Sequence, residues 1–130
     1  MTILGIYISK EKLEYCIVDG NKDSITLVKH ELKNNKNYNS ISELMEWYDN
    51  LFSLIFDDQS LTKIGLITAS PGIHGSMEKN VPYWYYPCGI LYLNAKNKNL
   101  IVEEFKKPRS SNKKLSSIEA VARLLRIDVR

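Results

Sequence analysis

The run Ile3-Leu4-Gly5-Ile6-Tyr7-Ile8-Ser9, with Leu13–Asp19 and Ile25–Leu32 behind it, decides how this chain folds. Ile3, Leu4, Ile6 and Ile8 leave almost no polar position, which suits a central strand covered on both faces. Gly5 in its middle lets another element come close to the backbone. Leu13, Tyr15 and Ile17 alternate with Glu14, Cys16 and Val18, a period of two. Lys10-Glu11-Lys12 makes a short turn between these runs. Asp19-Gly20-Asn21 signals a turn before the third run, which carries Ile25, Leu27 and His30-Glu31-Leu32. The three runs predict an antiparallel meander.

Working outward, Lys33–Asn39 is a polar loop whose one packing residue is Tyr38. Ser40-Ile41-Ser42-Glu43 is a capping box. Ile41, Leu44, Met45, Tyr48, Leu51, Phe52 and Ile55 then recur at 3.6-residue spacing, with Trp47 and Leu54 widening the apolar face, until Asp57-Asp58-Gln59-Ser60 stops the helix. Lys63–Ala69, with Ile64-Gly65-Leu66-Ile67 at its centre, predicts a parallel strand. Ser70-Pro71-Gly72 ends it. The segment Pro82–Asn99 reads as a helix starting near Tyr86 or Pro87, or as a hairpin turning at Lys96-Asn97-Lys98-Asn99. The helix is favoured, with Tyr85, Gly89, Tyr92 and Leu93 on one face, although a proline inside it would cost about 3 kcal/mol. Leu100–Phe105 predicts a fifth strand and Ser116–Ile127 a terminal helix burying Ile118, Val121, Ala122, Leu124 and Leu125.

At 130 residues the chain predicts one domain, 1–130, with a substantial core. No apolar run reaches the roughly 20 residues that span a bilayer. The N-terminus lacks the charged start of a signal peptide. Cys16 and Cys88 form no CxxC pattern and suggest a reducing, cytoplasmic setting, with Cys16 a small buried hydrophobe. No metal site is expected. Charge is uneven: residues 1–95 carry 8 Lys/Arg and 11 Asp/Glu, net −3, whereas residues 96–130 carry 10 and 4, net +6. Lys106, Lys107, Arg109, Lys113 and Lys114 are the densest basic stretch, followed on the terminal helix by Arg123, Arg126 and Arg130. Such a stretch fits either contact with successive phosphates of DNA or RNA or an ordinary solvated linker. Tyr83-Trp84-Tyr85-Tyr86, between Pro82 and Pro87, fits a base-stacking platform, a patch for a protein partner or a second copy, or core. His74, flanked by Gly72 and Gly75, is a loop histidine, and His30 a partly exposed strand residue.

Three strands, helix, strand, helix, strand, helix is the order of the ribonuclease H-like fold. Ile3-Leu4-Gly5-Ile6 with its hairpin partner resembles the opening of Holliday-junction resolvases and related proteins. Glu103-Glu104-Phe105-Lys106-Lys107-Pro108, a basic loop and Ile118-Glu119-Ala120-Val121-Ala122 resemble the resolvase C-terminal third. The resemblance implies an α/β domain with a five-stranded mixed sheet, three antiparallel strands then two parallel, flanked by about three helices. It also implies a cluster of three or four carboxylates holding two Mg²⁺ ions about 4 Å apart across a phosphate.

The chain departs from that pattern. Where the first-strand acid is expected it has Tyr7 and Ser9, and where the fourth-strand acid is expected it has Thr68 and Ser70. Only Glu119 stands at the place of the terminal-helix acid. Glu14, Asp19 and Glu78 show no obvious convergence as substitutes. The sequence therefore predicts a resolvase-like accessory protein with degenerate catalytic acids, a pseudoenzyme that binds nucleic acid through Lys106–Lys114, without cofactor. The alternative is a protein-interaction or assembly module, a homodimer being one form of it, joined through Tyr83–Tyr86. A metal-dependent enzyme with a rearranged site, built on Glu119 and His74 and using Mg²⁺, is the third.

Overall fold

A computed structural model describes residues 1–9, 12–35, 38, 40–58, 60–68, 85–106 and 117–125, with the backbone alone for Thr68 and Lys106. The strands are β1 (Thr2–Ile8), β2 (Lys12–Asn21), β3 (Ser24–Asn34), β4 (Leu61–Thr68) and β5 (Ile101–Lys106), and the helices among the described residues are α1 (Ile41–Ile55), α2 (Tyr86–Asn97) and α3 (Ser117–Leu124). The sheet order is β3-β2-β1-β4-β5. β1 pairs antiparallel with β2 and β2 with β3, while β1, β4 and β5 run parallel. This is the mixed sheet of three antiparallel and two parallel strands expected from the sequence.

The central strand β1 is covered on both sides, as its unbroken apolar run requires. Leu4, Ile6 and Ile8 face a layer made by α1 and α2, where they meet Leu44, Tyr48, Phe52, Leu91 and Ala95. Ile3 faces the opposite layer and packs with Cys16, Val18 and Val121 of α3. Tyr48, Phe52 and Phe56, spaced four apart on and just after α1, stack with ring centroids 5.7 and 5.8 Å apart. Ser40 caps α1 through its Oγ, which accepts from the Glu43 N–H at 3.1 Å.

The two glycines that face α3 let it dock. A Cβ on Gly5 would collide with the Ser117 carbonyl oxygen and come within 2.7 Å of Val121 Cγ2, and one on Gly65 would lie 2.7 Å from the Ala120 carbonyl oxygen. Helix and sheet backbones thus touch at two points one strand apart, and α3 packs chiefly on β1 and β4 and less on β2.

The favoured helix forms, and several other local expectations are corrected. The Pro82–Asn99 alternatives resolve, within the described part, as helix α2. Pro87 sits in its first turn, where no internal N–H is needed. Lys96–Asn99 is the helix end rather than a hairpin turn: Asn99 takes φ 57° and the Leu100 N–H returns to the Ala95 carbonyl at 2.8 Å. The buried residues of α2 are Pro87, Cys88, Leu91 and Ala95, so Tyr92 and Leu93 face outward. Ile41 and Leu54 of α1 and Ile118 of α3 are also exposed, because each lies at the margin of its helix's apolar face. The β2–β3 turn falls at Lys22-Asp23, after the expected place, where the Asn21 side chain accepts from the Asp23 and Ser24 N–H groups at 2.9 and 3.2 Å.

Candidate nucleic-acid interface

The parallel strands β1, β4 and β5 end together at Ile8, Thr68 and Lys106, since Ile8 pairs with Thr68 and Thr68 with Lys106. In open α/β sheets this carboxyl edge is where ligands bind. Helix α3 begins over the middle of β1, with Ser117 over Gly5. The chain enters the basic stretch at Lys106, at this edge, and rejoins the described fold at Ser117, above the middle of β1. Lys107, Arg109, Lys113 and Lys114 lie outside the described residues, as do Tyr83, Trp84, His74, Ser70 and Glu78. Of the aromatic run, Tyr85 is half-buried and Tyr86 exposed at the start of α2.

One row of the sheet near this edge reads Glu14 on β2, Tyr7 on β1, Ile67 on β4 and Phe105 on β5, each paired with the next. It faces α3. Ile67 and Ala120 are fully buried, and Tyr7 and Phe105 pack against them. Tyr7, at the place expected for the first acid, is thus part of an apolar cluster that offers no carboxylate. Ser9, the other candidate, holds the β1–β2 turn: its N–H and its hydroxyl both donate to the Lys12 carbonyl, at 2.9 and 3.1 Å.

The carboxylate that sequence reasoning set aside is the one the structure brings to α3. Glu14 Oε1 accepts from the Ser117 N–H at 3.1 Å and from the Ser117 hydroxyl at 3.0 Å, and lies 2.9 Å from His30 Nε2. A negative charge at a helix N-terminus is favourable, and here it ties β2 and β3 to α3. The sequence did carry the signal: Glu14 occupies the same strand face as Cys16 and Val18, which are buried against α3. Asp19 stands apart, at the other end of β2, where it meets the N-terminal ammonium at 3.3 Å.

Glu119 is half-buried on α3 and reaches Arg123, four residues on, at 3.5 Å. Among the described residues no group of three His, Cys, Asp or Glu side chains is placed to hold a metal ion. Two Mg²⁺ ions need several convergent carboxylates, and the described row of Glu14, Tyr7, Ile67 and Phe105 offers one, which Ser117 and His30 already engage. Burial pushes the Cys16 thiol above its ordinary value, and burial, then Glu104, pushes Cys88 up to about 12, so neither is poised as a thiolate. No helix among the described residues is long and apolar enough to cross a membrane.

No protein-family model matches the chain, and no curated protein matches it by sequence. Solved structures do. Thermus thermophilus RuvC in complex with a Holliday junction substrate superposes with a TM-score of 0.69 at 11% identity, over 82% of this chain and 66% of that one. A second Thermus thermophilus RuvC structure gives 0.66 at 11% identity, over 99% and 82%. An exopolyphosphatase from Cytophaga hutchinsonii gives 0.50 at 16% identity, over 82% of this chain but 34% of its own. The chain spans just under two thirds of the junction-bound RuvC. Identities this low establish the fold alone, and a polyphosphatase among the matches shows that this fold serves more than one chemistry. The architecture is the ribonuclease H-like fold in the arrangement of the RuvC Holliday-junction resolvases.

Proposed function

We propose that this protein binds nucleic acid through the basic stretch Lys106–Lys114 at the carboxyl edge of β1, β4 and β5, and does so without cleaving it. The observation that carries this reading is the pairing of a cationic segment with an edge whose central position is Tyr7 in an apolar cluster. The cations supply attraction to phosphate, while the described row offers one carboxylate, Glu14, already bonded to Ser117, where two cutting ions need several. The RuvC structure with the TM-score of 0.69 is in complex with a Holliday junction substrate, and a binder of the same fold suits a branched or duplex DNA backbone. Recognition through backbone charge is salt-sensitive, with about 0.9 in the log–log salt slope for each duplex phosphate neutralised.

The test is titration of labelled duplex, single-stranded and four-way-junction DNA at two salt concentrations with Mg²⁺ present, the products being resolved on a gel. Binding that weakens with salt and leaves the DNA intact is the expected result. Changing Lys106, Lys107, Lys113 and Lys114 to Glu abolishes it while the circular dichroism stays native. Absence of binding at low salt, or binding unchanged in the Glu variant, overturns the interface. Mg²⁺-dependent cleavage overturns the non-catalytic part.

A further inference from the structure

We infer that the cleft between Tyr38 and Trp47 is a docking site for an arginine side chain of a basic protein segment. Among the described residues this cleft, of about 410 Å³, is lined by Tyr38, Glu43, Glu46, Trp47 and Asn50. The last four recur at positions i, i+3, i+4 and i+7 of α1, so they share one face of the helix. Tyr38 meets that face from the segment before the helix. The Trp47 ring is fixed on one side by the fully buried Tyr48, which it meets edge-on with centroids 4.8 Å apart at 77°. Tyr38 lies 6.0 Å from Trp47 at 46°, a tilted contact rather than a stack, and both rings keep surface in the cleft.

The occupant follows from the charge around the rings. Residues 40–62 carry Glu43, Glu46, Asp49, Asp57 and Asp58 and no Lys or Arg. Glu43 is accounted for by the helix start, where its N–H bonds to the Ser40 cap and its charge suits the helix dipole. Glu46 lies beyond the first turn and serves no cap, yet its exposed carboxylate lines the cleft beside the rings. A cation over the face of a Trp or Tyr ring is attracted by the ring's quadrupole. The planar guanidinium of arginine stacks on such a ring while its other N–H groups donate to a carboxylate. The ammonium of lysine is a strongly hydrated point charge and uses the rings less well. The Asn50 side chain adds a carbonyl acceptor. Glu43 and Glu46 repel the phosphates of a nucleic acid, so the site takes a protein partner and is separate from the basic stretch.

The probe is a short capped peptide of alternating glycine and arginine, with control peptides carrying lysine or citrulline at the arginine positions. Citrulline keeps the shape of arginine and loses its charge. Each is titrated into the full chain at about 0.15 M salt, where distant charges are screened. The readout is the indole N–H signal of Trp47 by NMR, told apart from that of Trp84 with Trp84→Phe. The expected result is a saturable shift with the arginine peptide, at least about threefold weaker binding with lysine, and none with citrulline. Glu46→Gln and Tyr38→Ala each weaken the arginine peptide by at least about threefold. Both residues are exposed, so these variants keep the test valid where Trp47→Ala disturbs the packing on Tyr48. Asp57→Asn removes the same charge beyond the far end of α1 and leaves binding unchanged. Absence of a saturable shift up to about 1 mM peptide overturns the inference. So does equal binding of the lysine or citrulline peptide, or an equal loss in Asp57→Asn, which would reduce the effect to general charge attraction. The readout contains no nucleic acid, so it stands or falls apart from the nucleic-acid reading.

Discussion

The Ser117 carbonyl oxygen lies directly over Gly5, in the space a Cβ would need. A hydrogen is the only substituent that fits, so Gly5→Ala must push α3 off the sheet or shift β1. The expected effect is a loss of about 1–3 kcal/mol in urea denaturation. Gly65→Ala, facing the Ala120 carbonyl, acts in the same direction.

Glu14→Ala removes the acceptor for both Ser117 groups and the contact with His30. Leaving the buried Ser117 N–H and hydroxyl without this acceptor lowers stability by about 1–3 kcal/mol. Glu14→Gln keeps an oxygen in place and loses less. An unchanged denaturation midpoint in Glu14→Ala would show that the carboxylate does not anchor α3.

Glu31 is held at about 2, below its ordinary 4.5, chiefly by Lys33, then by Tyr15 and Lys29. Its folded value is depressed, so its stabilising effect is complete above pH of about 4.5 and is lost as pH falls towards about 2. Glu31→Gln flattens that part of the stability curve at fixed protein concentration. Tyr15 moves the other way, to about 12, through burial and then Glu31. Its effect is present below its ordinary value of 10.0 and fades as pH rises towards about 12. A phenolate signal from Tyr15 at its ordinary pKa would contradict this.

Cys16 and Cys88 are buried and in no disulfide, and both thiols are raised by burial. A thiol reagent at neutral pH reacts with neither in the native protein and with both after denaturation. Rapid native labelling of either would mean that the layer over it opens readily.

The amino-acid sequence by itself determined the elements and their order. The unbroken apolar run of Ile3–Ile8 specified a strand covered on both faces, Ser40 specified the start of α1, and the 3.6-residue spacing of Leu44, Tyr48, Phe52 and Ile55 specified its buried face. These are local patterns, legible without knowledge of what lies across from them. The proposed interface was legible only as charge, since the basic stretch is a matter of composition. The tertiary structure alone decided which faces are covered. β2 and β3 both carry apolar residues at alternating positions, yet Cys16 and Val18 are buried and Leu27 and Leu32 are not. The reason is the seating of α3, which approaches only where Gly5 and Gly65 leave room, on β1 and β4, and so ends short of β3. The same seating joined Glu14 to Ser117 across 103 residues, a contact that periodicity cannot announce because it depends on where a distant helix comes to rest.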